Sequence, residues 1–222
     1  VAEDFGKSIE QASVLRDDED MQIALPDLNL PVTVILDREH RLTDEDYFAF
    51  CAANPELNVE RTREGEIVIV PPAGGESDFR TVKAVATLEE WAIRDGRGKV
   101  FGPSVQFLLP DGSGLSPDAA WVSDKRLGAL TKVELRKFPR LVPEFVIEVM
   151  SPSDRLTSAR KKMQLWAANG VELGWLIDGD NRRVFVYRGT AKPRVVTNAE
   201  SIDGEGPVEG FVLPLGKIWA GL

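Results

Sequence analysis

Residues 142–150 read VPEFVIEVM, the most strand-like stretch of the chain. Period-two alternation puts Val142, Glu144, Val146, Glu148 and Met150 on one face and Phe145, Ile147 and Val149 on the other. Glu148 therefore interrupts an otherwise apolar pattern. An unpaired carboxylate in a buried strand costs several kcal/mol, so a cation, a hydrogen-bond network or water must compensate it.

The segment that follows is a helix by period. Ser153 is expected to cap it, residues 154–169 to form it and Gly170 to end it. Leu156, Ala159, Met163, Trp166 and Ala167 gather into one apolar stripe at about 100° per residue. Lys162 lies on the flank of that stripe, about 90° from its centre, while Lys161 points almost the opposite way and Arg155 shares the Lys162 side. Lys162 is thus the base best placed to lean onto the sheet, although a lysine there can also simply snorkel over the stripe edge. Residues 173–178 and 182–188 read as two more strands, separated by Gly179-Asp180-Asn181.

Upstream, residues 115–122 (LSPDAAWV) read as a strand with Pro117 marking its beginning or an edge, since proline cannot donate to a ladder. Asp118 then sits at the strand entrance beside small alanines. Residues 99–109 give strand signals interrupted near Gly102-Pro103, and Asp111-Gly112 makes a turn. Ser77 is expected to cap a long helix to about Asp95, with Val82, Val85, Leu88 and Ala92 on its buried face. Residues 58–70 form a hairpin turning near Glu64-Gly65, Thr43 caps a helix to about Ala53, and residues 31–36 form a short strand. The terminal GFVLPL closes the chain as a last strand. Helix, strands, helix, strands implies an α/β class with a mixed sheet and helices packed on it.

Composition narrows the chemistry. The 222 residues hold one His, His40, and one Cys, Cys51. An intrachain disulfide, a multi-Cys metal site and most Ser–His–Asp arrangements are excluded. Any metal would sit among carboxylate oxygens, which favours Mg2+ with Mn2+ as the other hard candidate. No apolar run is long enough to span a membrane and no secretory pattern opens the chain, which points to a cytoplasmic protein. The net charge of -9 is segregated: residues 1–46 carry 13 acids and 4 bases, and residues 47–222 carry 23 of each. Residues 1–30 are expected to form an acidic, flexible arm, and residues 31–222 a single domain. Residues 125–162 hold ten bases and four acids. That basic window, and with it the arm as its competitor, suggests a phosphate-bearing partner.

Asp118 and Glu148 on neighbouring strands could share one divalent cation. Alternatively, Asp118 makes local turn hydrogen bonds and Glu148 pairs with a helix Arg or Lys. Two carboxylates, a metal and a Lys beside them suit phosphodiester hydrolysis.

At these residues the chain resembles a bacterial family of putative restriction endonucleases in the PD-(D/E)XK nuclease superfamily. The resemblance runs from about residue 40 to the C-terminus, through LTDEDYFAFC, NVERTREGEIVIVPPAGGES, LSPDAAWVSDKR, FPRLVPEFVIEVMSPSDRL, KKMQLWAANGVELGWLID and GFVLPL. It implies a restriction-endonuclease-like αβββαβ core beginning at the helix of residues 77–95. Asp118 matches the motif aspartate and Glu148 the acid of the second half. Met150 stands where the short motif has lysine, and Lys162 matches the lysine the family carries on the following helix. Glu60 matches a further acidic position that completes or polarises the metal site; Glu76 also matches, without a definite role. The implied activity is a Mg2+-dependent DNA endonuclease acting as a homodimer. Asp118, Glu148 and Glu60 would hold the metal, Lys162 would assist the water, and Lys161 and Arg155 would meet the substrate. The departure at Met150 leaves open a catalytically inactive nuclease fold used for binding or assembly.

Overall fold

The computed structural model describes residues 42–222 and, upstream of them, the backbone of three strands: β1 (Ser13–Asp17), β2 (Asp20–Ala24) and β3 (Val32–Val34). β1 and β2 pair antiparallel. His40 and the remainder of the expected acidic arm lie outside the described residues.

Local chemistry sets the first elements. Helix α1 (Asp44–Ala53) opens with a reciprocal cap: Thr43 Oγ1 accepts from Asp46 N–H and the Asp46 carboxylate accepts from Thr43 N–H. Strands β4 (Asn58–Arg61) and β5 (Ile67–Val70) form the expected hairpin, with Gly65 at φ 87° in its turn. Together with β3, β7 (Phe107–Leu108) and β8 (Gly114–Leu115) they build a five-stranded antiparallel sheet in the order β3-β5-β4-β8-β7.

The larger sheet has six strands. β6 (Gly98–Phe101), β9 (Ala119–Ser123), β10 (Phe145–Val149), β11 (Leu173–Asp178), β12 (Arg183–Arg188) and β13 (Arg194–Thr197) lie in the order β13-β12-β11-β10-β9-β6. Only β10 and β11 are parallel, and helix α4 (Leu156–Ala168) is the crossover that such a pair requires. A short helix α3 (Asp124–Leu127) follows β9. On one face lies helix α2 (Gly75–Asp95), closed at its end by β14 (Ser201–Asp203), β15 (Val212–Pro214) and α5 (Gly216–Trp219). On the other face lies α4. The order α2, β6, β9, β10, α4, β11 is the expected αβββαβ core, and the α/β class with a mixed sheet flanked by helices holds.

The period-two reading of β10 is correct. Phe145, Ile147 and Val149 pack under α2, while Val146 packs under α4 with Met163 and Trp166. Gly174 of β11 lies beneath α4, where a Cβ would come 2.5 Å from Met163 Cε, so its bare backbone lets the helix sit close.

Four local expectations need correction. The stretch 115–122 is not one strand. Pro117 has no N–H to continue the ladder, so the chain leaves β8 of the small sheet at Ser116 and enters β9 of the large one at Ala119. Helix α2 starts at Gly75, not after Ser77, whose hydroxyl lies inside the first turn and donates to Gly74 O. Its buried apolar face is Ala84, Leu88, Trp91 and Ala92, whereas Val82 is 53% exposed. Leu88 and Ala92 lie on the seam as expected, Val85 only at its edge, and Thr81 and Ala84 take the buried places beside Val82 and Val85. Ser153 does not cap α4. Asp154 instead closes the preceding turn by accepting from Ser151 N–H, and the helix begins at Leu156.

Candidate active site

The break between β8 and β9 places Ser116-Pro117-Asp118 where the two sheets meet. The antiparallel register sets Ile147 opposite Ala119, and one further step brings Asp118 level with Glu148. Asp118 Oδ2 accepts from Val149 N–H at 2.6 Å, so the aspartate is anchored to the very strand that carries Glu148. From the small sheet, Glu60 of β4 reaches the same junction, its Oε1 accepting from Ser116 N–H at 3.1 Å.

Lys162 joins these acids. Its Nζ donates to Ser116 O at 2.8 Å and lies 2.9 Å from Glu60 Oε1 and 3.1 Å from Glu148 Oε1. Three acceptors match the three N–H bonds of an ammonium. One helical turn on, the buried Trp166 indole donates Nε1–H to Glu148 Oε1 at 2.8 Å. Two strands, one sheet junction and one helix thus converge on a compact charged site beside the apolar cluster under α4.

Burial governs its electrostatics. Desolvation pushes Glu148 up to about 8, with Asp118 and Glu60 adding to the rise and Lys162 and Trp166 opposing it. Burial likewise raises Asp118, against the Val149 N–H and Lys162. For Lys162 burial acts downward, but Glu148 and Glu60 outweigh it and hold the ammonium well above its ordinary value. Lys162 therefore stays charged at neutral pH, while Glu148 takes a proton more readily than a free glutamate. Perturbed pKa values of this kind recur at functional sites and in structural ion-pair networks alike. Cys51 is no rival centre, because burial raises its thiol to about 11.

The structure brings together Asp118, Glu148, Glu60 and Lys162, four of the six site residues expected from the sequence. It does not bring Arg155 or Lys161 into this cluster; both are exposed residues at the start and on the outside of α4. Glu76 lies elsewhere, on α2, paired with the buried Arg80. The basic window is less available than its arithmetic suggests. Arg126 is tied to Glu144 and Glu172, Arg140 to Asp44, and Lys162 to the cluster. Two participants went unread in the sequence: the Trp166 N–H and the backbone of Ser116. A buried indole usually takes an acceptor, which is the available signal for Trp166, although the buried Trp121 N–H has none among the described residues. Nothing in the residue type marks Ser116.

As donors to an ion the carboxylates are hard oxygen ligands, suited to Mg2+ or Mn2+. Among the described residues no group of three His, Cys, Asp or Glu side chains is close enough to hold an ion. The fit is thus to an ion held by one or two carboxylates that keeps waters and gains substrate oxygens, the habit of Mg2+. No helix of the described residues is long and apolar enough to cross a membrane.

A family model described as Uma2, "Putative restriction endonuclease", matches residues 44–216. Among solved structures, the crystal structure of a "putative nuclease belonging to DUF820" from Anabaena variabilis aligns with TM-score 0.66 at 20% identity, covering 81% of this chain and 98% of that one. At that identity the likeness establishes the fold. A cryoEM DrdV–DNA complex aligns with TM-score 0.36 at 14% identity over 55% of this chain and 10% of that one, too little to carry weight. No curated protein matches the chain.

Proposed function

The chain belongs to the Uma2 family of putative restriction endonucleases, and on that premise we propose that it is a Mg2+-dependent DNA endonuclease whose site is the Asp118–Glu148–Glu60–Lys162 cluster. The observation that carries the reading is the Lys162 ammonium, held within 2.9–3.1 Å of Glu60 and Glu148 by a helix, although the short motif has Met150 in the lysine place. Lys162 would stand in, from the helix, for the lysine that the short motif lacks.

Asp118 and Glu148 would hold the ion, and Glu60, ion-paired to Lys162, would polarise the site from the small sheet rather than join as a third ligand. Mn2+ would serve in the same place. A divalent ion bound there supplies charge for the phosphate oxygens and a more acidic water. Lys162 orients the attacking water and offsets negative charge developing on the phosphate. Trp166, fully buried on the α4 side, bounds the site there through its bond to Glu148. Arg155 and Lys161 would meet backbone phosphates beyond it, where contacts position DNA without reading its sequence. A homodimer would present two such sites to the two strands; sedimentation of the purified protein tests that arrangement.

The decisive experiment is plasmid cleavage with Mg2+ by the wild type and by Glu148→Ala. Loss of at least about 100-fold in the variant is expected, the scale of removing one charge-stabilising group. Full cleavage by Glu148→Ala would sink the assignment. A second reading, a nuclease fold retained only for binding or assembly, is favoured by Met150 and by the saturation of Lys162 with three acceptors. Wild-type protein that binds DNA but leaves it uncut at any Mg2+ or Mn2+ concentration would favour it.

A further inference from the structure

Among the described residues Glu148 is hydrogen-bonded on one side only. Among the described residues both of its donors, Lys162 Nζ and Trp166 Nε1, fall on Oε1. Asp118 is held through Oδ2 alone, by the Val149 amide, and Glu60 through Oε1 alone, by Ser116 N–H and Lys162. Each carboxylate thus has one oxygen fixed to the scaffold and one with no donor among the described residues.

Lys162 and Trp166 differ in what they can do for Glu148. Lys162 is shared among three acceptors and sits on a four-carbon stem. Trp166 is 0% exposed, wedged between the sheet and α4 near Phe107, with ring centroids 6.5 Å apart. Its single N–H points in one direction only. A donor held that rigidly sets the rotation of the carboxylate it touches.

We propose that Trp166 is a positioning residue: its indole N–H locks Glu148 Oε1 to α4 and leaves Oε2 as the oxygen presented to a divalent cation. The inference rests on the nuclease reading above. Trp166 touches neither ion nor substrate and acts only through Glu148. Hydrogen-bond partners of ligating carboxylates typically account for roughly 10- to 100-fold in metal affinity.

The test separates the N–H from the ring. Site-specific replacement of Trp166 by 3-benzothienylalanine keeps the fused rings and removes the donor; Trp166→Phe removes donor and volume together. Mn2+ affinity is measured by calorimetry on the full chain, beside thermal melts. A fall of roughly 10- to 100-fold in the benzothienyl protein, with a melt close to wild type, supports the role. Wild-type affinity in that protein overturns it while leaving the nuclease reading intact. If unmodified protein binds no Mn2+ and cuts no DNA, both fall together. A readout on unmodified protein does not depend on any variant's folding. Of the five indole N–H resonances, that of Trp166 should move in step with Mg2+ saturation, and one that stays fixed overturns the role.

Discussion

Glu144 and Glu148 lie four residues apart on one face of one strand segment, and both are nearly buried, at 6% and 8% exposure. Their surroundings differ in kind. Glu144 is bonded on both oxygens: Oε1 takes the Ser123 hydroxyl at 2.5 Å and Arg126 Nε at 3.0 Å, and Oε2 takes Ser123 N–H at 3.1 Å. Among the described residues Glu148 takes donors on Oε1 only, and it shares its surroundings with two more acids. Burial alone does not mark a functional carboxylate. Glu144 has both oxygens filled by its own fold, while Glu148 keeps one oxygen without a donor among the described residues.

The widest separation between the two should come from removing their cations. Lys162→Met is expected to lower Mg2+-dependent DNA cleavage by about 100-fold or more, and Arg126→Met to leave it unchanged. Comparable losses in both, assayed on one plasmid at saturating Mg2+, would break the distinction.

Stability should divide the pair the other way. Glu144→Gln weakens hydrogen bonds to a charged acceptor and should cost about 1–3 kcal/mol in urea unfolding, towards the lower end because Arg126 is partly solvated. Cleavage by the folded variant should match wild type.

A pH series sharpens the contrast further. The Glu148 carboxyl is raised from 4.5 to about 8 by burial. Between those values the native state binds more protons than the unfolded chain, so metal-free stability falls as pH rises through that window. Glu148→Gln should flatten the decline, whereas Glu144→Gln should leave its slope alone. Saturating Mg2+, which needs the ionised carboxylate, should also offset it. Urea midpoints at pH 5, 6, 7 and 8 decide the point, and a stability that climbs across that range would count against a raised Glu148.

The smallest effect is expected outside this strand altogether. Deleting residues 1–30, which carry the densest acidic run, should tighten DNA binding a few-fold at low salt by removing a competitor for the basic surface, with the gain fading as salt rises. It should alter neither the Glu144 bonds nor the Glu148 chemistry. Fluorescence anisotropy with a labelled duplex measures it, and equal affinities at low salt refute it.

Much of the site was legible before any coordinates. Alternation along 142–150 separated Glu148 from Phe145 and Ile147 because side chains of a strand point to opposite faces with a period of two. The helical angle singled out Lys162 over Lys161 because 3.6 residues per turn is equally rigid. Caps at Thr43 and the turn at Gly65 were legible because their bonds span only a few residues. The failures share a cause as well. Ser77 and Ser153 have the right chemistry for caps, yet the helices start where tertiary packing lets them.

By itself, then, the sequence determined the α/β class, the strand and helix that carry Glu148 and Lys162, and the exclusion of Cys and His chemistry. Those properties are local or compositional, and periodicity and residue type suffice for them. Only the tertiary structure decided that Pro117 splits one apparent strand between two sheets, and that Glu60 crosses from the second sheet to meet Lys162. It alone decided that Trp166 shares an oxygen of Glu148, and that Arg126 is committed to Glu144 while Lys162 serves the site. Each of these is a pairing over tens of residues. Such pairings are set by which faces must be buried against each other, a choice no local window of sequence contains.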